Sequence, residues 1–181
     1  MVHNTAVQVT SPPPITHILE TCLMVKDLDA SVEFYKDVFN VEPFLKSPRL
    51  AGFSFSQTTL LLFQLGLTAS DTPMPDNRGT IPGHGPTSDI LDILVPDKNP
   101  DVSSSSGTTQ TKTVSNSGLN QHFCFAVPSP NDVGLWENWF EEKNVKILGK
   151  VDWERGGRSV YFADLDGNVG EVGSRGIWAH Y

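Results

Sequence analysis

Apolar residues dominate Ile18–Val25, "ILETCLMV", interrupted by Glu20 and Thr21, and the stretch reads as a strand. The pattern then changes. Val32, Tyr35, Val38 and Phe39 fall close to helical spacing, behind Asp27 or Asp29, either of which can cap a helix. The pattern predicts a helix over Ala30–Phe39, followed by short strands at Glu42–Leu45, Gly52–Phe55 and Thr59–Phe63. From Gly66 to about Gly118 the pattern fails. Pro, Gly, Ser, Thr and Asp dominate there, "SDILDILVP" is a short helix or strand at most, and Ser103–Gly118 has almost nothing to bury.

Periodicity resumes at Leu119. "LNQHFCFAV" reads as a strand. "PNDVGLWENWFEEKN" reads as an amphipathic helix with Asn131 or Asp132 as cap and Leu135, Trp136, Trp139 and Phe140 as its apolar stripe. "VKILGKVDW" and "RSVYFADL" are strands, Asp166–Asn168 a tight hairpin turn, and "VGEVGS" the closing strand. Each half therefore reads strand, helix, three strands. A shift of 102 residues lays Glu20 on His122, Cys22 on Cys124, Val25 on Val127, Phe34 on Trp136 and Val38 on Phe140 without a gap. The expected fold class is α+β, two tandem βαβββ modules. The expected divisions are a disordered leader (1–14), a first module (15–65), a connecting loop (66–118) and a second module (119–181).

Strand parity sorts the candidate chemistry. Ile18, Glu20, Cys22 and Met24 share one face, and His17, Leu19, Thr21, Leu23 and Val25 the other. In the second module His122, Cys124 and Ala126 oppose Phe123, Phe125 and Val127. The helix of each module should cover the face with Phe123 and Phe125. That leaves Glu20, Cys22, His122 and Cys124 on an uncovered face, where a carboxylate and an imidazole on equivalent strands can share a metal. Glu171 is the only ionisable side chain between Asp166 and Arg175, and a carboxylate in so apolar a strand needs a partner or water. Cys22 and Cys124, two residues beyond Glu20 and His122, are either small buried fillers or a thiol pair lining the cavity. Arg158 follows "ERGG", whose glycines could let backbone approach a ligand; the plainer reading is a surface arginine. His17 falls on the other face, and His3 and His180 have little claim.

The 181 residues carry a net charge of −8 and no Lys/Arg cluster, which disfavours nucleic acid and anionic membranes as partners. No apolar run approaches the length of a membrane span. The first 14 residues lack the regions of a signal peptide, and two cysteines make no disulfide scaffold, so a cytoplasmic setting is expected.

Two stretches resemble one superfamily. "HILETCLMVKDLDASVEFYKDVFNVEPF" is similar to the first βα unit of vicinal oxygen chelate proteins, the glyoxalase / bleomycin-resistance / ring-cleavage dioxygenase group. "GGRSVYFADLDGNVGEV" resembles that group's last hairpin, with Leu165 in place of the common proline. The resemblance implies a half-open barrel of two βαβββ modules around one divalent metal. It also implies ligands at Glu20, which stands seven residues before Asp27, at the matching His122, and at Glu171. The fourth position falls on Leu61, which cannot bind a metal, so water, His84 of "IPGHGP" or Gln64 is left to fill it. Water is favoured, with His84 nearby as a substrate group. Such modules often pair across a homodimer.

Two carboxylates and one imidazole suit Zn²⁺, Ni²⁺, Mn²⁺, Mg²⁺ or Fe²⁺ alike. The superfamily's ring-cleaving members use two histidines and one glutamate, so Glu20 tilts the reading from oxygen activation toward proton transfer. The expected function is a metal-dependent, glyoxalase-like isomerase or lyase on a small oxygenated molecule. The metal would polarise a vicinal oxygen pair and Glu171 or Glu20, unranked, would carry the proton. Arg158, His84, Cys22 and Cys124 are candidates for contact with substrate. The alternatives are a ring-cleavage dioxygenase and a non-catalytic protein that sequesters a drug or metabolite.

Overall fold

The computed structural model describes residues 14–86 and 120–181, together with residues 12 and 90. The first module runs β1 (Glu20–Val25), α1 (Leu28–Phe39), β2 (Leu45–Lys46), β3 (Leu50–Phe55) and β4 (Thr58–Gln64). A small hairpin follows, β5 (Thr72–Pro73) and β6 (Thr80–Ile81), around a 3₁₀ turn at Pro75–Asn77. The second module is β7 (His122–Val127), α2 (Pro130–Glu142), β8 (Ile147–Asp152), β9 (Arg158–Ala163) and β10 (Val169–Ser174). The sheets have the orders β1-β4-β3-β2 and β7-β10-β9-β8, so the βαβββ repeat expected from the sequence is the fold. The two sheets do not close on one another.

Local chemistry sets the element ends. Asp27 caps α1 by accepting from Ala30 N, and Asn40 ends it in the left-handed region at φ 50°. In α2 the cap is Ser129, not Asn131 or Asp132. Its hydroxyl accepts from Asp132 N while the Asp132 carboxylate accepts from Ser129 N, a reciprocal capping box. The apolar stripe of α2 also differs from expectation. Val133 and Phe140 are buried with Glu137, whereas Leu135 is 67 % exposed. Glu137 can be buried because strands distant in sequence deliver two cations, Lys150 Nζ and Arg158 Nη2, each 2.8 Å from its carboxylate. The first part of the expected connecting loop, 66–86, carries the β5–β6 hairpin. Apart from Ile90, "SDILDILVP" lies outside the described residues, as do Ser103–Gly118 and most of the leader.

Both helices pack against one continuous core. Leu23, Val25, Val32, Tyr35, Phe53, Leu62, Phe123, Phe140, Phe162 and Val172 belong to a single buried cluster. At roughly 25 cal/mol per Å² of apolar surface, a ring such as Phe140 or Phe162 contributes more than any one of the valines around it. The helices meet where the indole of Trp139 donates to Val38 O at 2.6 Å. The ring of Phe39 lies 4.9 Å from that of Phe125 and 5.5 Å from that of Trp136. Along the seam, Gln121 accepts from Met24 N and donates to Met24 O.

A second set of seam bonds comes from the β9–β10 turn. Asp166 accepts from Lys26 N at 2.9 Å and from the Ser31 hydroxyl at 3.0 Å, and Asp164 accepts from the Tyr35 hydroxyl at 3.2 Å. A turn of the second module therefore holds the start of the first module's helix. Gly170 has no room for a side chain: an added Cβ would stand 2.1 Å from the Phe162 ring.

Candidate functional site

The parity argument holds. Leu23, Val25 and Phe123 are buried under the helices, while Glu20, Cys22, His122 and Cys124 are exposed on the other face. The hairpin register then adds what parity cannot. β10 lies parallel to β7 with Glu171 beside Cys124 and Val169 beside His122, and antiparallel to β9 with Glu171 opposite Tyr161. Glu171 is only 6 % exposed, whereas the His122 side chain is 53 % exposed. His122 Nε2 stands 3.5 Å from Glu171 Oε2.

The protons in this pair can be placed. His122 Nδ1 is 2.9 Å from the carbonyl of Val169, which can only accept, so Nδ1 carries the hydrogen. In the neutral ring Nε2 then presents its lone pair toward Glu171. The other carboxylate oxygen, Oε1, accepts from the Ser159 hydroxyl at 2.5 Å, and Ser159 Oγ accepts from the Trp153 indole N–H at 2.8 Å. Two lone-pair donors facing one another across 3.5 Å, one of them on a half-exposed ring, can share a cation, a proton or a metal ion. The donor set fits a divalent metal: an imidazole whose far nitrogen is bonded to a carbonyl, next to a carboxylate whose far oxygen is bonded to a hydroxyl.

The surrounding groups are held neutral. Although Cys124 as a residue is exposed, desolvation at its sulfur, and then the Glu171 charge, push the thiol up to about 12. The same two causes push the Tyr161 phenol to about 12. Burial and the charge of Glu20 raise the Cys22 thiol. Both cysteines are free and, at neutral pH, protonated. The rings of Tyr161 and His122 stack with centroids 6.2 Å apart.

Other candidates fall elsewhere. Among the described residues no three His, Cys, Asp or Glu side chains stand close enough to hold a metal, so one chain does not bring Glu20 to His122 and Glu171. Arg158 lies on the helix-covered side, paired with Glu137, rather than with Glu171. Gln64 accepts from Leu28 N and donates to Lys26 O, which commits its amide to the β1–α1 connection. His84 sits over the first module, its ring edge-on to Phe63 at 5.3 Å. His17 is exposed and bonds with Thr16. Of two cavities of about 590 and 650 Å³, the first, where Thr21 and Phe55 meet Phe125 and Trp136, is also lined by Cys124, and the second lies beside the helices; neither is lined by His122 or Glu171.

Sequence reasoning missed Ser159, Tyr161 and Trp153. Pairing β9 with β10 around the turn would have set Tyr161 opposite Glu171 and found the first two.

The family model of the Glyoxalase/Bleomycin resistance protein/Dioxygenase superfamily matches residues 15–172. Among solved structures, the lactoylglutathione lyase of Agrobacterium tumefaciens is 30 % identical, with 92 % of this chain and 99 % of that chain covered and a TM-score of 0.66. A glyoxalase/bleomycin resistance protein/dioxygenase from Nocardioides is 18 % identical over 93 % of this chain and 86 % of that one, at a TM-score of 0.53. At that identity the likeness is one of fold. No curated protein matches the chain significantly.

Proposed function

Because the chain belongs to the Glyoxalase/Bleomycin resistance protein/Dioxygenase superfamily, we propose that it is a divalent-metal-dependent, glyoxalase-type lyase or isomerase. Its substrate would be a small molecule with neighbouring carbonyl and hydroxyl oxygens. The observation that carries the reading is the His122–Glu171 pair, two lone-pair donors 3.5 Å apart on an uncovered face. His122 and Glu171 would hold the metal from one chain and Glu20 from a second copy, in a homodimer. Support for the second copy comes from Glu20 and His122 each being exposed on a face no helix covers, while one chain assembles no three ligands.

When bound, the ion supplies Lewis-acid polarisation of the substrate oxygens. The chain's own residues do the rest. Glu171, little exposed and fixed through one oxygen, or Glu20, facing it from the other copy, removes a proton from carbon and returns it to the neighbouring carbon. Tyr161, opposite Glu171, and Cys124, beside it, line the site as further polar contacts for substrate. The proton transfer needs no redox-active ion, so zinc, nickel, manganese, magnesium or iron would serve.

A complementation experiment tests both parts. Wild type purified without chelator should carry about one divalent ion per chain, and Glu20→Ala and Glu171→Ala should each lose it. Each mixed dimer of the two variants regains one intact site, so metal and activity return on mixing. Mixtures that stay empty would place all ligands in one chain. One specific observation favours a second reading: Leu61 occupies the place of Glu171 in the first module's register. A wild type without stoichiometric metal that still binds small apolar molecules would make the protein a metal-free, sequestering member.

A further inference from the structure

A carboxylate ligand has two equivalent oxygens and a soft terminal torsion, so something must decide which oxygen it presents. In this chain that decision is traceable to a loop outside the sheets. Trp153 follows β8 and begins "WERGG". The loop closes on itself, with Trp153 N donating to Gly157 O at 2.8 Å and Gly156 N to Trp153 O at 2.9 Å. Gly156 takes φ 85°, open to glycine at little cost. Gly157 is pressed against the C-terminal turn, where an added Cβ would meet Ile177 N at 2.4 Å. The glycines of this motif therefore serve backbone packing, and the loop they shape carries Trp153, 36 % exposed, at its start.

That indole donates to Ser159 Oγ at 2.8 Å. Ser159 is fully buried, so water does not compete for its hydroxyl. With its oxygen already accepting from Trp153, the hydroxyl turns its one proton to Glu171 Oε1, 2.5 Å away. Oε1 thereby accepts from the buried Ser159 hydroxyl and Oε2 faces His122 Nε2, while Tyr161 and Cys124 bear on the same carboxylate from the open side.

We propose that Trp153 and Ser159 are positioning residues that lock Glu171 with a single oxygen toward His122, so that the "WERGG" loop sets the metal affinity of the site. The inference rests on the metal-site reading given above. The first module has no counterpart, because Leu61 stands where Glu171 does.

The test is calorimetric titration of the full metal-free chain with Zn²⁺ and, separately, Mn²⁺, with circular dichroism as the check on folding. Ser159→Ala is expected to weaken binding about 10- to 100-fold, as for loss of a group that orients a ligand. Ser159→Thr, which keeps the hydroxyl, restores most of it. Trp153→Phe weakens binding roughly fivefold, one hydrogen bond's worth, and has no further effect on top of Ser159→Ala. That dependence separates a relay from general damage, which would add. Wild-type affinity in Trp153→Phe, or an additive double variant, overturns the proposal while leaving the metal site standing. No binding of either ion by the wild type overturns both. If Ser159→Ala does not fold, Ser159→Thr and Trp153→Phe decide alone.

Discussion

Cys22 lies beside Leu61 in the first module, and Cys124 beside Glu171 in the second. Across the next strand, Gly52 stands opposite Leu61 where Tyr161 stands opposite Glu171. The backbone grid is the same and the chemistry is reversed. An added Cβ at Gly52 would meet the Phe44 ring at 2.8 Å, so the missing side chain makes room for a ring over the sheet. The first module thus presents Phe44, Leu61, Cys22 and Glu20, an apolar floor with one carboxylate. The second presents His122, Glu171, Tyr161 and Ser159, a polar cluster. A duplicated fold has kept its hydrogen-bond ladder, which depends on backbone, and divided its side-chain roles, which do not.

The largest expected effect breaks that division directly. Glu171→Ala should lower metal affinity more than about 100-fold, whereas Leu61→Ala, at the same grid point of the other module, should leave stoichiometry unchanged. Equal losses in the two, read by metal analysis after dialysis, would mean that the modules contribute alike.

The hairpins differ as much as the faces. The β3–β4 turn is the pair Ser56–Gln57; the β9–β10 turn spans 164–168 and reaches across the seam. Asp164 is 8 % exposed and accepts from Asp166 N, Asn168 N, the Asn168 amide and the Tyr35 hydroxyl. Asp164→Ala strands several buried donors and should cost about 2–3 kcal/mol in chemical denaturation. Gln57→Ala in the other hairpin should stay within about 0.5 kcal/mol. A cost at Asp164 as small as at Gln57 would show that the turn does not clamp the modules.

Much of this was legible beforehand, for definable reasons. The 102-residue shift, the Asp27 cap and the two faces are local or periodic properties, and each module obeys them. The pairing of His122 with Glu171 is a consequence of strand register and was close to legible. Glu137 was not, because its burial depends on Lys150 and Arg158 arriving from later strands. Arg158 follows the same rule: "ERGG" leaves open an approach to ligand or a plain surface arginine, and the side chain turns to α2 and pairs with Glu137. Glu20 shows the limit of parity. Parity names the face a residue occupies, and says nothing of what meets that face. In "SPND" the serine before the proline, and not a residue inside the helix, has the spacing of a reciprocal cap with Asp132.

A gain of function sharpens the comparison. Leu61→Glu places a carboxylate at the grid point of Glu171. If the two uncovered faces meet across a dimer, it supplies a fourth ligand and tightens metal binding on the order of tenfold, about 1.4 kcal/mol. Titration should show a lower Kd with unchanged stoichiometry. A looser site, or a second site per chain, would mean the first module's face lies apart from the metal.

The smallest effect concerns pH and the seam. Burial, and secondarily the neighbouring Asp164, raise Asp166 above its ordinary value of 3.8, against the lowering effect of its bonds from Lys26 N and Ser31. A carboxyl whose folded pKa is raised takes up its proton more readily folded than unfolded. Its contribution to stability is therefore fully present below the unfolded value and is lost as pH rises through the folded one. At neutral pH the ionised group costs stability, and acidification toward 3.8 relieves that cost. Asp166→Asn carries no such charge, so its thermal midpoint lacks this component. The difference between wild-type and variant midpoints, measured metal-free, should move in favour of the wild type as pH falls toward 3.8 and through it. Residues outside the turn titrate alike in both proteins and cancel. A difference flat across that window would mean that the bonds from the first module fully offset burial, and the clamp would then be as strong ionised as protonated.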